Sequence, residues 1–324
     1  MAEILLVVSI DTEEDNWHRS RNGVTVDNIG ALRRAAAVFT RLGLRPTYFT
    51  AYQVAADPRA ADVMREVSAG GRAEIGGHLH PWNTPPMSEP FVPRNSMLKN
   101  LPVQLQLEKL RSLTDRLEQT FGFRPSAFRA GRYGLGRETV GPLLQCGYRV
   151  DSSVSPFIDL RPTDEGPTFV GAPMNAYRLA PGRDLRDHAP DGGLVEIPLS
   201  YGFNRAPFSL WDPVRRGLEA APLRWLRLAG VAARAGLLKR LTLSPEVATV
   251  ADMLTLSRRL LEQGVRHLHL TWHSPTLRPG LSPFADSEAD VERLYAALGE
   301  YVEGLSQITP FRCVTVSEAA ALLG

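Results

Sequence analysis

The chain has 324 residues, 44% of them hydrophobic and 22% charged, with a net charge of +2. That is enough apolar mass for a large core and too little charge for binding nucleic acid through charge alone. Its cysteines, Cys146 and Cys313, stand in no CxxC pair, which argues against a thiolate metal site or a disulfide framework.

Ile4–Ile10 is a continuous apolar, β-branched run, the pattern of a strand covered on both faces. Glu3 precedes it and Asp11 ends it, no basic stretch leads in, and it is too short to span a bilayer. No secretion signal is read, and a cytoplasmic location is expected. The spacing of Leu32, Ala36, Val38, Phe39 and Leu42 predicts a helix over Asn28–Leu42. A strand follows at Pro46–Tyr52, a helix at Asp57–Ser68, stopped by Gly70 and Gly71, and a strand at Ala73–Gly77. Pro81–Leu101, rich in proline and without period, reads as a long loop.

Pro102–Phe121 reads as an amphipathic helix, Ser126–Ala130 as a strand, Gly136–Cys146 as a helix and Tyr148–Asp151 as a strand. Later come a helix at Val250–Gln263, a strand at His267–Trp272, a helix at Glu288–Leu305, a strand at Phe311–Thr315 and a last helix at Val316–Leu323. This alternation with short links predicts parallel strands with helices outside. Residues 156–244 break the rhythm. They are expected to form an inserted or elaborated, mostly helical segment within one domain spanning 1–324.

Polar residues stand where the strands end: Asp11, Glu13, Glu14 and Asp15, then His78 and His80, then Arg129, Asp151 and His273. In parallel α/β folds the C-terminal ends of the strands form one rim, where sites gather. A carboxylate and two imidazoles suit a divalent metal with positions left for water and substrate. Such a metal polarises a carbonyl and lowers the pKa of water to about 7. A second carboxylate could then serve as base and a histidine across the site as acid. His267, His269 and His273 alternate in one strand and so share a face; His273, nearest the C-terminal end, is taken as the reactive one and the others as structural. His18 and His188 are read as solvated. Trp82 and its neighbouring prolines either pack the loop or wall a substrate pocket.

SIDTEED (Ser9–Asp15), EIGGHLHPW (Glu74–Trp82), FRAGRYG (Phe128–Gly134), YRVDSS (Tyr148–Ser153) and LTWHSP (Leu270–Pro275) resemble, in order, the motifs of the polysaccharide deacetylases, the NodB-homology enzymes. The resemblance covers about residues 3–155 and 248–322. It implies an α/β fold, a distorted (β/α) barrel with fewer than eight regular strands. It further implies Asp11 as catalytic base, Arg129 as its partner and His273 as the acid that protonates the leaving amine. The metal ligands would be Glu13, with Glu14 as the alternative, and His78. The family's second histidine falls at Trp82 here, and His80 is its substitute. Trp82, Tyr133, through its backbone N–H, and Asp151 are expected to meet substrate.

The activity so implied is metal-dependent, most plainly zinc-dependent, hydrolysis of an N-acetyl or similar acyl group on an amino sugar, glycan or lipid-linked sugar precursor. Hydrolysis of another linear or cyclic amide, and a non-catalytic sugar- or lipid-binding role, stay open beside it. Pro213–Leu243 carries Arg215, Arg216, Arg224, Arg227, Arg234, Lys239 and Arg240 against a single acid, Glu219. It reads either as helix with a solvated basic face or as a peripheral contact for anionic lipid.

Overall fold

The computed structural model describes residues 3–16, 24–219, 230, 233, 234 and 236–324. β1 (Ile4–Thr12) is buried along its whole length, as its unbroken apolar pattern requires. One edge pairs in parallel with β10 (His267–His273), from Leu5↔His267 to Asp11↔His273. The other edge is divided: Ile4–Val7 pair with β11 (Phe311–Val314), and Ser9–Thr12 with β2 (Thr47–Ala51). The sheet continues in parallel through β3 (Glu74–Leu79), β4 (Ala127–Ala130), β5 (Val150–Asp151) and β7 (Leu194–Glu196). β6 (Tyr177–Leu179) ends it, antiparallel to β7. Beyond β10 the gap is bridged by loop: Thr271 N–H donates to Leu243 O (3.0 Å) and His269 N–H to Ser200 Oγ (2.8 Å). The result is the expected distorted barrel, curled and parallel.

Around it lie α1 (Leu32–Arg41), α2 (Tyr52–Ala56), α3 (Pro58–Ser68), α4 (Val103–Phe121), α5 (Val140–Gln145), α6 (Phe208–Glu219), α7 (Val250–Glu262), α8 (Glu288–Ser306) and α9 (Val316–Leu323). Their ends obey local chemistry. The Asp57 carboxylate accepts from Ala60 N–H ahead of α3, and Pro58 occupies its first turn. Gly122, at φ 79°, closes α4 in the left-handed region. α9 opens on a capping box between Thr315 and Glu318. Its Val316, Ala319 and Ala320 pack with Leu5, Val7 and Phe49, plugging one end of the barrel.

The strands expected at Ala73–Gly77 and His267–Trp272 run on, to Leu79 and His273. His78 therefore sits within its strand, opposite Ala51 and Arg129, rather than after it. The interval 156–244 departs further from expectation. Its described part is not mostly helical: it holds β6, β7, β8 (Tyr201–Phe203), β9 (Arg240–Thr242) and α6. β7 belongs to the main sheet, and β8 pairs antiparallel with β9. Three-residue strands are too short to leave an alternation, so the pattern concealed them. Of Pro213–Leu243, residues 220–229, 231, 232 and 235 lie outside the described residues, as does His18. Cys146 and Cys313 are free thiols. No helix among the described residues is long and apolar enough to cross a membrane.

Candidate active site

One face of β1 carries Leu5, Val7, Ser9 and Asp11, in register with His267, His269, Thr271 and His273 of β10. From β4, the fully buried Arg129 reaches the upper half of this face. Every guanidinium hydrogen has an acceptor. Nε donates to Ser152 O (2.8 Å), Nη1 to Asp11 Oδ1 (2.6 Å) and Thr271 Oγ1 (2.9 Å), and Nη2 to Ser9 Oγ (2.8 Å) and Ser152 Oγ (3.1 Å). The cation also lies 4.3 Å over the Phe49 ring. A buried charge is tolerated only when satisfied in this way. Burial by itself would raise the Asp11 carboxyl; the Arg129 guanidinium, above all, outweighs it and holds Asp11 below the usual carboxylate range.

Glu13, His78 and His80 converge beside this pair, each offering one ligand atom within 4.8 Å of the others. His78 Nδ1 lies 3.1 Å from Arg129 O, and His80 Nδ1 lies 2.9 Å from Glu14 Oε1. A carbonyl and an ionised carboxylate only accept, so each Nδ1 carries the proton. The neutral His78 ring then turns its Nε2 lone pair inward, and His80 turns its Nε2 toward the same point. The two Nε2 atoms are 3.2 Å apart, and Glu13 Oε2 is 3.2 Å from one and 3.3 Å from the other. Two ring nitrogens and a carboxylate oxygen thus converge on one point, an arrangement that a cation among them would favour. Burial, above all, pulls His78 down to about 3, keeping it neutral. Burial, then Glu14 and Asp11, push the Glu13 carboxyl well up, and its Oε1 is buried without a hydrogen-bond partner. These residues fit a divalent ion held by one carboxylate and two imidazoles.

The surroundings fix the two rings. Glu14 is not in the cluster; it orients His80 and accepts from Trp82 Nε1 (3.0 Å). Burial would raise Glu14, but His80 holds it low. Trp82 stacks on His80, ring centroids 4.1 Å apart. It is 5% exposed, and it lines a pocket together with Met87, Glu89 and Phe91. Gly131 must be glycine, because a Cβ there would strike the His80 ring. Behind Trp82, the buried Lys109 donates to the carbonyls of Pro81 (2.9 Å), Thr84 (2.7 Å) and Pro86 (2.7 Å) and pairs with Glu89 (2.9 Å), tying down the long loop.

His273 faces Asp11 across the site, Nε2 to Oδ2 4.0 Å. Its side chain is 22% exposed against 6% for Asp11, so it can meet a substrate. Glu246 grips it from behind: Nδ1 lies 2.9 Å from Oε2, and the backbone N–H donates to Oε1 (3.0 Å). Burial would lower His273; Glu246 and then Asp11 outweigh it and raise it above the ordinary imidazole value. Thr276 and the Phe284 ring complete its surroundings.

Tyr133 stands at the edge of this group, and the charges of Asp11 and Glu246 reach its phenol, which burial pushes up. Its backbone and that of Arg132 take a φ of 55°, held there by bonds from Arg132 to Ser96 and Asp164. Asp151, expected to meet substrate, is placed elsewhere. It is in register with Phe128, hence on the opposite face from Arg129, and is fully buried. It accepts from Ser153 N–H (2.8 Å) and Oγ (3.0 Å) and shares a hydrogen bond with Glu196. Burial raises both carboxyls. His269, read as structural, contacts Ser9 Oγ (2.8 Å) and Arg129 Nη2 (3.3 Å). Glu246 escapes sequence reasoning altogether. It follows β9, and the strand-end rule that marks the other residues would reach it only if Arg240–Thr242 were legible as a strand.

No protein-family model and no curated protein matches the chain. Solved structures do. A protein from Mycobacterium smegmatis, named for a proposed polysaccharide deacetylase activity, aligns with a TM-score of 0.55 and 19% identity over 98% of this chain and 89% of that one. A 4-α-glucanotransferase from Thermococcus litoralis aligns with a TM-score of 0.54 and 12% identity, over 99% of this chain and 40% of that one. The chitin deacetylase of Colletotrichum lindemuthianum aligns with a TM-score of 0.45 and 11% identity, over 98% of this chain and 88% of that one. The two likenesses above a TM-score of 0.5 show that the chain is similar in fold to the Mycobacterium smegmatis protein and to the glucanotransferase. Because a glucanotransferase shares that likeness, the reaction has to be argued from the side chains.

Proposed function

We propose that this chain is a metal-dependent hydrolase that removes an N-acetyl group from an amino sugar or glycan. The observation that carries the reading is the Glu13–His78–His80 cluster lying beside a carboxylate held ionised, Asp11, whose Oδ2 is 4.0 Å from an imidazole held basic, His273. Zinc suits one carboxylate and two nitrogens with open positions, and when bound it would polarise the amide carbonyl and acidify water. Asp11, kept anionic by Arg129, takes the proton of the attacking water. His273, kept protonated by Glu246, gives a proton to the departing amine nitrogen. The Tyr133 N–H is the donor proposed for the developing oxyanion. Glu14 and Trp82 hold His80 in place.

The test is acetate release from N-acetylated chito-oligosaccharides by zinc-loaded protein. Chelation abolishes it, and Asp11→Asn lowers kcat by about 10²–10⁴-fold; full activity in that variant sinks the role of the base. Reading formate and ring opening in the same screen separates this substrate class from other amides. A peripheral contact with anionic membrane through 213–243 is a separate part of the proposal, and sedimentation with anionic liposomes tests it.

A further inference from the structure

We propose that the space between α6 and the β8–β9 pair is a subsite for an anionic group on the substrate, a carboxylate or a phosphate, with Arg240 as its charged contact. This rests on the hydrolase reading above. A pocket of ≈850 Å³ lies there, bordered by Phe157, Val170, Arg215, Leu218 and Arg240 among others. Most of its charges are matched. Arg215 pairs with Glu219 (2.6 Å), Arg216 with Asp212 (3.0 Å), and Asp159 with Arg161 (2.7 Å). Arg240 is left over: among the described residues it has no hydrogen-bond or ion-pair partner. It is half-buried, and burial and then the nearby Arg215 both press its pKa down. Arg215 Nε is also buried without an acceptor. Two guanidiniums with unmatched donors therefore border one cavity. Glu219 and Asp212 act on Arg240 only through longer-range attraction, so its N–H groups keep no acceptor among the described residues, and a planar carboxylate or a phosphate accepting two N–H bonds is the chemistry that fits them.

The pocket and the reaction centre lie toward opposite ends of one side of the β8–β9 pair, with Phe203 buried between them against Phe157 and Phe208. Tyr201 is in register with Thr242, and Phe203 with Arg240, so these four share a face. Tyr201 hydrogen-bonds Tyr133, which borders Asp11 and Glu246. From Tyr201 to Phe203 the strand advances about 7 Å. An oligosaccharide with its acetamide at Asp11 and His273 would pass Tyr201 and bring a neighbouring sugar to Arg240. The substrate class is accordingly an acidic glycan, in which the charged group lies on a different sugar from the amide.

Calorimetric titration with three probes tests this: tetra-N-acetylchitotetraose, the same oligosaccharide oxidised to an aldonate at its reducing end, and its 1-phosphate. At least one acidic probe binds about tenfold more tightly than the neutral one, the worth of one charge-assisted contact. Which acidic probe is preferred identifies the group. Arg240→Gln removes the preference, while Arg240→Lys retains most of it. No preference in the wild-type chain, including no measurable binding of any probe, overturns the subsite, as does an undiminished preference in Arg240→Gln. Acetate release from the same probes judges the activity separately. Acid-selective binding without acetate release would refute the hydrolase and leave the subsite standing; acetate release with equal KM for all three would do the reverse.

Discussion

The inward faces of β1 and β10 change character halfway along. At the lower end Leu5 and Val7 meet Phe49, Val195, Val316 and Ala319 in an apolar plug. At the upper end Ser9, Asp11 and Thr271 surround Arg129, and His273 faces Asp11. The strands and the face are the same; what differs is what closes each end. α9 seals the lower end with small apolar side chains, so that region gains from burial and tolerates few polar atoms. The upper end opens to a rim, and its buried charges are kept by mutual satisfaction. Where satisfaction fails at a member of the ligand cluster, Glu13 Oε1, the donor set calls for a cation. The exception below is His267, whose Nε2 donates to Pro198 O (3.0 Å). A buried polar group in the lower half thus needs a backbone partner, whereas the upper half supplies side-chain partners.

This division can be broken at its most demanding point. Arg129→Met leaves Asp11 buried without its counter-charge, and should cost about 3–5 kcal/mol in urea unfolding and nearly all activity. Retained stability would mean that the upper network is not held by the ion pair. Glu14→Gln keeps all three proposed ligands but weakens the hold on His80; metal affinity by competition with a chelator should fall about 10–100-fold. Val7→Ala probes the lower half. It should lower stability by about 2 kcal/mol while kcat stays at the wild-type value, and a fall in kcat would show that the halves are mechanically coupled.

Glu246→Gln gives the smallest effect and the most specific one. His273 has to be protonated to act as acid, and its raised pKa places the alkaline loss of activity above the ordinary imidazole range. Activity is present below that pKa and lost as pH rises through it. Removing the Glu246 charge lowers the pKa, so the alkaline limb of kcat should move down by about one pH unit with the acidic limb unmoved. An unmoved alkaline limb would remove His273 from the role of acid.

Much of the upper half was legible in the chain. Asp11, His78, His80, Arg129 and His273 stand at strand ends where parallel topology gathers them, and the alternation in His78-Leu79-His80 placed both rings on one face. The choice between Glu13 and Glu14 was not legible, because it depends on how the chain turns after β1. Asp151 shows the opposite failure: it too ends a strand, but a two-residue strand carries no pattern to tell which face a side chain takes.

Local pattern was sufficient for the alternation of strands and helices, the parallel barrel and most of the residues at its rim, since periodicity and turn chemistry act over a few neighbours. Only the folded chain decided that Glu246 would hold His273, that Asp151 would join Glu196 away from the rim, and that Arg240 would border a cavity together with Arg215. Those are contacts between segments remote in sequence. They depend on sheet register and on which face each strand turns inward, and short-range pattern contains neither.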